Sequence, residues 1–273
     1  MPSVRAATRR TLADSFAAIR DRGIGLIPFV PAGYPDLATT AAVLEAIDGP
    51  RVAAIELGFP FSDPIADGPV IQQAFTAALT KKIKVSEILQ MAKTISSRVS
   101  APLVAMLSYS IVFRHGPEKF FSEARSAGFS GIIIPDLPPP EAEKTCRLIR
   151  AADLDTVLLV APTTPTQRRR EIVSLCSGFV YYLSVSGITG ARDQIPPNLA
   201  ENVRQLKEMT DRPIAVGFGI SKSQHLASLA PFADAAIVGS AIVRQMTDSL
   251  PQGPQAVAHS VADFCRNLLS YPR

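Results

Sequence analysis

Residues 55–69, IELGFPFSDPIADGP, gather most of what could do acid chemistry in this chain. Glu56 stands inside an apolar run that otherwise has the pattern of a buried strand, and Asp63 and Asp67 follow in a loop framed by Pro64 and Pro69. Burial disfavours a charged carboxylate and moves its pKa upward, toward the range useful for proton transfer near neutral pH. The structural alternative for Glu56 is an acid satisfied by a neighbouring hydroxyl or backbone donor. Asp63 and Asp67 have one too, as caps of a helix that begins near Pro69, since Asp suits the N-cap and Pro the first helical position. That accounts for one aspartate more easily than for two. If the loop folds over the strand end, two acids in different environments can divide proton transfer from electrostatic stabilisation.

A second chemistry lies further along. The segments SGITGAR at 186–192, GFGIS at 217–221 and VGSAI at 238–242 each place glycine directly after an apolar run, where backbone N–H groups can approach an anion without steric cost. Gly219, Gly239 and Ser240, with Gly190, suit a phosphate seat made by late strand ends and a helix start. A phosphate held on one side and carboxylates on the other point to proton transfer on a phosphorylated, sugar-like substrate, either isomerisation or carbon–carbon cleavage. No cysteine nucleophile, strand lysine suited to a Schiff base or metal-ligand cluster is legible.

These residues need a frame that brings strand ends together. Eight short runs rich in β-branched and apolar residues begin near positions 26, 53, 103, 131, 155, 180, 213 and 235, and helical three-and-four spacing marks LATTAAVLEAI, SEILQMAKTISSRV, PEKFFSEARSAG, AEKTCRLIRAA and ENVRQLKEM between them. Alternating strands and helices imply parallel strands joined by crossovers, and eight units suit a single (β/α)₈ (TIM) barrel over 1–273 rather than an open sheet. No GxGxxG follows the first strand, which removes the usual sign of a dinucleotide fold. The second and third runs start 50 residues apart, which predicts a long loop after strand 2. Leu12, Phe16 and Ile19 predict an extra N-terminal amphipathic helix packed on the domain, and 254–269 a final one. In AAIELG, Ile55 and Leu57 suit the outer, helix-packed face, which turns Ala54, Glu56 and Gly58 inward.

Composition excludes several function classes. With 28 Lys+Arg against 24 Asp+Glu the formal charge is only +4, and the basic residues are scattered apart from QRRRE at 167–171, so no nucleic-acid footprint emerges. Apolar runs fall short of the roughly 20 residues that span a bilayer. Cys146, Cys176 and Cys265 lack CxxC spacing, which predicts reduced thiols in a cytoplasmic protein, and His115, His225 and His259 are dispersed as surface or helix-end residues rather than metal ligands.

Taken together, LIPFVPAGYPD, IELGFPFSDPIADGPVIQQA, IIIPDLPPPEAE, VYYLSVSGITGAR, VGFGIS and AIVGSAIV resemble the tryptophan synthase alpha subunit family, in order from about residue 10 to residue 245. The resemblance implies a (β/α)₈ barrel that cleaves indole-3-glycerol phosphate to indole and glyceraldehyde 3-phosphate. It implies Glu56 as general acid/base and Asp67 as the group holding the indole N–H. It also implies Tyr181 lining the indole site, Thr189 closing against the aspartate, Phe218 packed on the substrate, and Gly190, Gly219, Gly239 and Ser240 around the phosphate. No cofactor is implied for this chain. The resemblance places PLP in a beta subunit that receives the indole and implies an alpha2-beta2 heterotetramer. Two segments depart from the family pattern: Ser110 and Ile111 replace the usual Asn and Pro after the third strand, and Val185 stands where bacterial members often carry Arg. Both bear on docking and signalling between subunits rather than on the carboxylates.

Overall fold

Alternating side chains sort the strands into an inner and an outer face, and the strands close on themselves. The computed structural model describes residues 10–62, 68–184, 196–217 and 219–271. Strands β1 (Gly25–Pro31), β2 (Ile55–Gly58), β3 (Leu103–Met106), β4 (Phe129–Ile133), β5 (Asp155–Val160), β6 (Val180–Leu183), β7 (Ile214–Gly217) and β8 (Ala235–Val238) form a closed barrel in sequence order, β8 returning to β1. Every neighbouring pair is parallel. The predicted (β/α)₈ architecture is therefore the observed one.

Around the barrel run α1 (Leu12–Ile19), α2 (Leu37–Ala46), α3 (Pro69–Thr80), α4 (Val85–Ile95), α5 (Tyr109–His115), α6 (Pro117–Ser126), α7 (Pro139–Ala151), α8 (Thr166–Leu175), α9 (Leu199–Lys207), α10 (Ser223–Leu229), α11 (Ser240–Ser249) and α12 (Pro254–Leu269). The long interval between β2 and β3 holds two helices, α3 and α4, so most of its extra length is regular structure rather than loop. Helix α3 starts at Pro69 as expected, and its N-cap is Gly68, without a side-chain cap bond. No helix among the described residues is long and apolar enough to cross a membrane.

Two buried clusters follow from the alternation. Ile55 and Leu57 face outward into the large layer between strands and helices. Ile27, Ala54, Val104, Ile133, Val157, Tyr181, Ala215 and Ile237 face inward and fill the barrel. Leu12, Phe16 and Ile19 of α1 belong to this inner cluster, so the N-terminal helix is a stopper in the lower mouth rather than a cover on the outside. Space for it comes from missing side chains: a Cβ on Gly178 would lie 2.9 Å, and one on Gly131 3.2 Å, from Leu12 Cδ1. The Phe16 ring meets Phe179 at 5.7 Å between centroids. Thr11 and Asp14 close a capping box that fixes where α1 begins.

The lower mouth is also tied to the C-terminus. Arg51 donates to Leu269 O at 2.8 Å, Ile24 O at 3.1 Å and the Tyr271 hydroxyl at 2.7 Å, and that hydroxyl accepts from Ile24 N at 3.0 Å. The cysteines are free and buried, as expected for thiols. Burial pushes the Cys176 and Cys265 thiols up to about 12.

Candidate active site

Strand β2 delivers its acid where the alternation predicted. Glu56 shares the inward face with Ala54 and Gly58, lies in register beside Phe29 of β1 and Val104 of β3, and is 1% exposed. It is two residues from the carboxyl end of the strand, the end at which barrel enzymes carry their chemistry. The aromatic wall beside it depends on Gly58. A Cβ there would come within 2.5 Å of the Phe29 ring and 3.1 Å of Phe75, so the glycine admits the edge-on Phe29–Phe75 pair, 6.2 Å between centroids.

Tyr181 lies on the inner face of β6, flanked in register by Leu159 and Ala215, and is 9% exposed. Its ring packs over β7 at Gly217, where a Cβ would make ordinary contact with the Tyr181 ring and hydroxyl at 3.4 Å. At the end of β6, Ser184 donates both its N–H and its hydroxyl to Gly217 O, each at 3.1 Å, which pins the base of the sixth loop.

The seventh and eighth strand ends have the features of an anion seat. Gly219 has φ +81, a left-handed conformation that favours glycine. Gly239 is the N-cap of α11 and makes no side-chain cap bond, and the first intrahelical bond runs from Val243 N to Gly239 O at 3.1 Å. The N–H groups of Ser240, Ala241 and Ile242 therefore precede the helical ladder, at the positive end of the helix dipole. A Cβ on Gly239 would make only ordinary contacts, 3.5 Å to Ile71 and 3.7 Å to Phe29. Internal packing thus leaves room for a side chain at 239.

Asp67, Val185, Thr189, Gly190 and Phe218 lie outside the described residues, as does Asp63. Of the predicted site residues the structure places Glu56, Tyr181, Gly219, Gly239 and Ser240, all at or near the carboxyl ends of their strands.

Three features escaped the sequence. The segment after β3 forms helix α5, capped by Ser108, whose hydroxyl donates to Asp136 at 2.7 Å while the same carboxylate accepts Tyr109 N at 2.8 Å. With its proton committed to Asp136, the Ser108 hydroxyl accepts from Ser110 Oγ at 2.8 Å. The departing Ser110 is therefore bonded into the bridge between the third and fourth strand ends. Burial, then the Glu141 carboxylate, push the Tyr109 phenol pKa upward. One turn on, Phe113 is 69% exposed, with its ring 6.2 Å from that of Tyr109. The third feature is the burial of His225, which lies in the first turn of α10, the helix-end placement expected of it, yet is only 5% exposed. Asp136 could have been suspected as a carboxylate directly after a strand; His225 left no signal in the spacing.

A closed parallel barrel with an acid buried at one strand end and helix-start N–H groups at another is the anatomy of a (β/α)₈ enzyme acting on an anionic substrate. The family model of the tryptophan synthase alpha chain matches residues 16–271. The alpha chain of Acaryochloris marina is 42% identical over 265 residues, covering 95% of this chain and 97% of that protein. That of Rippkaea orientalis is 41% identical over 261 residues, 94% and 96% of the two chains. The tryptophan synthase A-subunit of the hyperthermophile Pyrococcus furiosus is similar with a TM-score of 0.83 and 36% identity, over 90% of this chain and 98% of that one. The chain belongs to the tryptophan synthase alpha chain family.

Proposed function

We propose that this chain performs the alpha reaction of tryptophan synthase, the cleavage of indole-3-glycerol phosphate to indole and glyceraldehyde 3-phosphate, as a carbon–carbon lyase of tryptophan biosynthesis. The observation that carries the assignment to residues is Glu56, buried on the inner face of β2 beside its carboxyl end in a chain that matches the family almost throughout.

In this reading the phosphate is seated at Gly219, Gly239 and Ser240, with Gly190, which fixes one end of the substrate. Tyr181 and Phe218 line the indole. Asp67 holds the indole N–H and stabilises the positive indolenine tautomer produced when C3 is protonated. Glu56 takes the proton of the side-chain hydroxyl next to the ring. As that oxygen becomes the aldehyde carbonyl, the carbon–carbon bond breaks and its electron pair returns to the ring, giving neutral indole. Glu56 also serves the protonation of C3, so one carboxyl group handles protons in both directions. Thr189 closes against the aspartate and excludes water.

The family is the alpha part of a larger enzyme, so a beta subunit is the partner, and we place the two in an alpha2-beta2 heterotetramer. No cofactor takes part in this chain's step; PLP belongs to the partner. The exposed Phe113, beside Tyr109 on α5, provides an apolar contact at the mouth where the partner docks. We also assign residues 1–273 to one domain and the protein to the cytoplasm.

The test is indole release from indole-3-glycerol phosphate by wild type, Glu56→Gln and Asp67→Asn, each with and without a beta subunit. Both variants should lose at least about 10²-fold, the scale of a lost proton-transfer group. Stimulation of the wild type by the beta subunit supports channelled cleavage. Cleavage indifferent to it indicates a lyase acting alone, and no cleavage in either condition rejects the substrate.

A further inference from the structure

The loop between β7 and α10 carries Gly219, and its shape depends on a side chain that the catalytic scheme leaves unused. Gly219 turns the chain with φ +81, and the next residue, Ile220, anchors in the hydrophobic core at 2% exposure. Helix α10 then begins at an N-cap, Lys222, that makes no side-chain cap bond. The position of a capping side chain is filled from inside the helix. His225, at the third helical position, accepts the Ser221 N–H on its Nδ1 at 3.3 Å, while its own N–H closes the first turn on Lys222 O at 3.1 Å. A Glu or Gln at this position makes the neighbouring bond in a capping box, to the N–H of the N-cap itself.

We infer that His225 is a positioning residue for the phosphate seat: by holding Ser221 N–H on Nδ1, it fixes the β7–α10 loop in the form in which the amides around Gly219 meet the substrate phosphate. The inference rests on the phosphate assignment made above. Two physical consequences follow. An amide bonded to the ring is not offered to the ligand, so the imidazole determines which loop donors stay available. The tie also lies only two residues beyond Gly219, where its loss frees the backbone that the turn orients. Because the bond requires an unprotonated Nδ1, the ring acts here as an acceptor. Its place inside the buried layer, rather than at the surface, is what lets it reach back to the loop.

The experiment compares wild type with His225→Leu, His225→Asn and Gly219→Ala, reading calorimetric affinity for glycerol 3-phosphate, KM and kcat for indole-3-glycerol phosphate, and the thermal midpoint. Asn places its Oδ1 where the imidazole has Nδ1 and can accept the same N–H. The Leu variant should bind glycerol 3-phosphate about three- to ten-fold more weakly and raise KM by a similar factor, as the loss of one hydrogen bond allows, with kcat within about two-fold. The Asn variant should recover most of that loss. Equal behaviour of Leu and Asn, or a loss falling on kcat with affinity intact, would overturn the inference and leave His225 as packing. If His225→Leu does not fold, His225→Met replaces it, an unbranched apolar side chain with no good acceptor for the Ser221 N–H; Asn must then bind more tightly than Met. Weaker binding by Gly219→Ala with no change in the histidine variants rejects only the role of His225. Unchanged affinity in Gly219→Ala rejects the phosphate seat itself, and the inference with it.

Discussion

At its lower mouth the barrel is stoppered by Leu12, Phe16 and Ile19 and tied off by Arg51 and Tyr271, whereas its upper mouth holds a buried carboxylate and a helix start without a side-chain cap among the described residues. The same eight strands serve both ends. Below, glycines at 131 and 178 make room for Leu12; above, Gly58 makes room for the Phe29 ring, but Gly239 keeps room that no neighbouring side chain fills as closely. Polar groups differ in the same way. The Tyr271 hydroxyl and the Arg51 guanidinium are bonded to backbone that needs closing, while the first N–H groups of α11 have no side-chain cap and stand at the positive end of the helix dipole. One end is closed by the protein's own side chains, and the other is the end to which the proposed function assigns binding.

That contrast is open to attack at both ends. The largest effects should come from a crossed pair of substitutions. Glu56→Gln should abolish at least about 10²-fold of activity without lowering the unfolding midpoint. Leu12→Ala should cost about 2–5 kcal/mol by leaving a cavity under the barrel, yet keep turnover per folded molecule. Activity assays and denaturant unfolding on both proteins decide it; a Leu12→Ala enzyme that stays stable would mean that the stopper is dispensable.

Gly58→Ala sharpens the contrast from above. The added methyl meets the Phe29 ring at 2.5 Å, and relieving that overlap should cost about 1–3 kcal/mol and disturb the wall beside Glu56. Stability and KM should both worsen, whereas a lower-mouth change moves only stability. Tyr271→Phe is such a change. Losing the hydroxyl shared by Ile24 N and Arg51 should lower stability by about 1 kcal/mol with kcat and KM unaltered.

The smallest effect is alkaline and belongs to the outer layer that both mouths share. Cys176 and Cys265 are raised from 9.0 to about 12, principally by burial. Their folded values lie above the unfolded ones, so the stabilisation is complete below pH 9 and is lost as pH rises from 9 toward 12. Between about pH 8 and 9.5 the loss should be under about 1 kcal/mol per thiol, visible as a falling unfolding free energy that Cys→Ala variants do not show.

Much of the fold and part of the site are legible in the residues alone. Ile55 and Leu57 decide which way Glu56 points, since successive strand residues alternate faces. Helix α12 begins and ends as its periodicity indicates. Helix α8 leaves little trace because it is largely polar and buries only Arg169 and Val173. Helix α5 is hidden because it is short and starts on a cap held by Asp136, 28 residues further along from Ser108.

The sequence by itself determined the alternation of strands and helices, the inward face that carries Glu56, and the amphipathic character of α1, because each follows from a period of two or about 3.6 residues within one segment. Only the tertiary structure decided that α1 enters the barrel instead of covering it, that Asp136 caps a helix from the neighbouring strand end, and that His225 is buried against the loop it holds. Each depends on residues distant in sequence meeting in one place, such as Leu12 against Gly131 and Gly178, and strand closure alone brings them together.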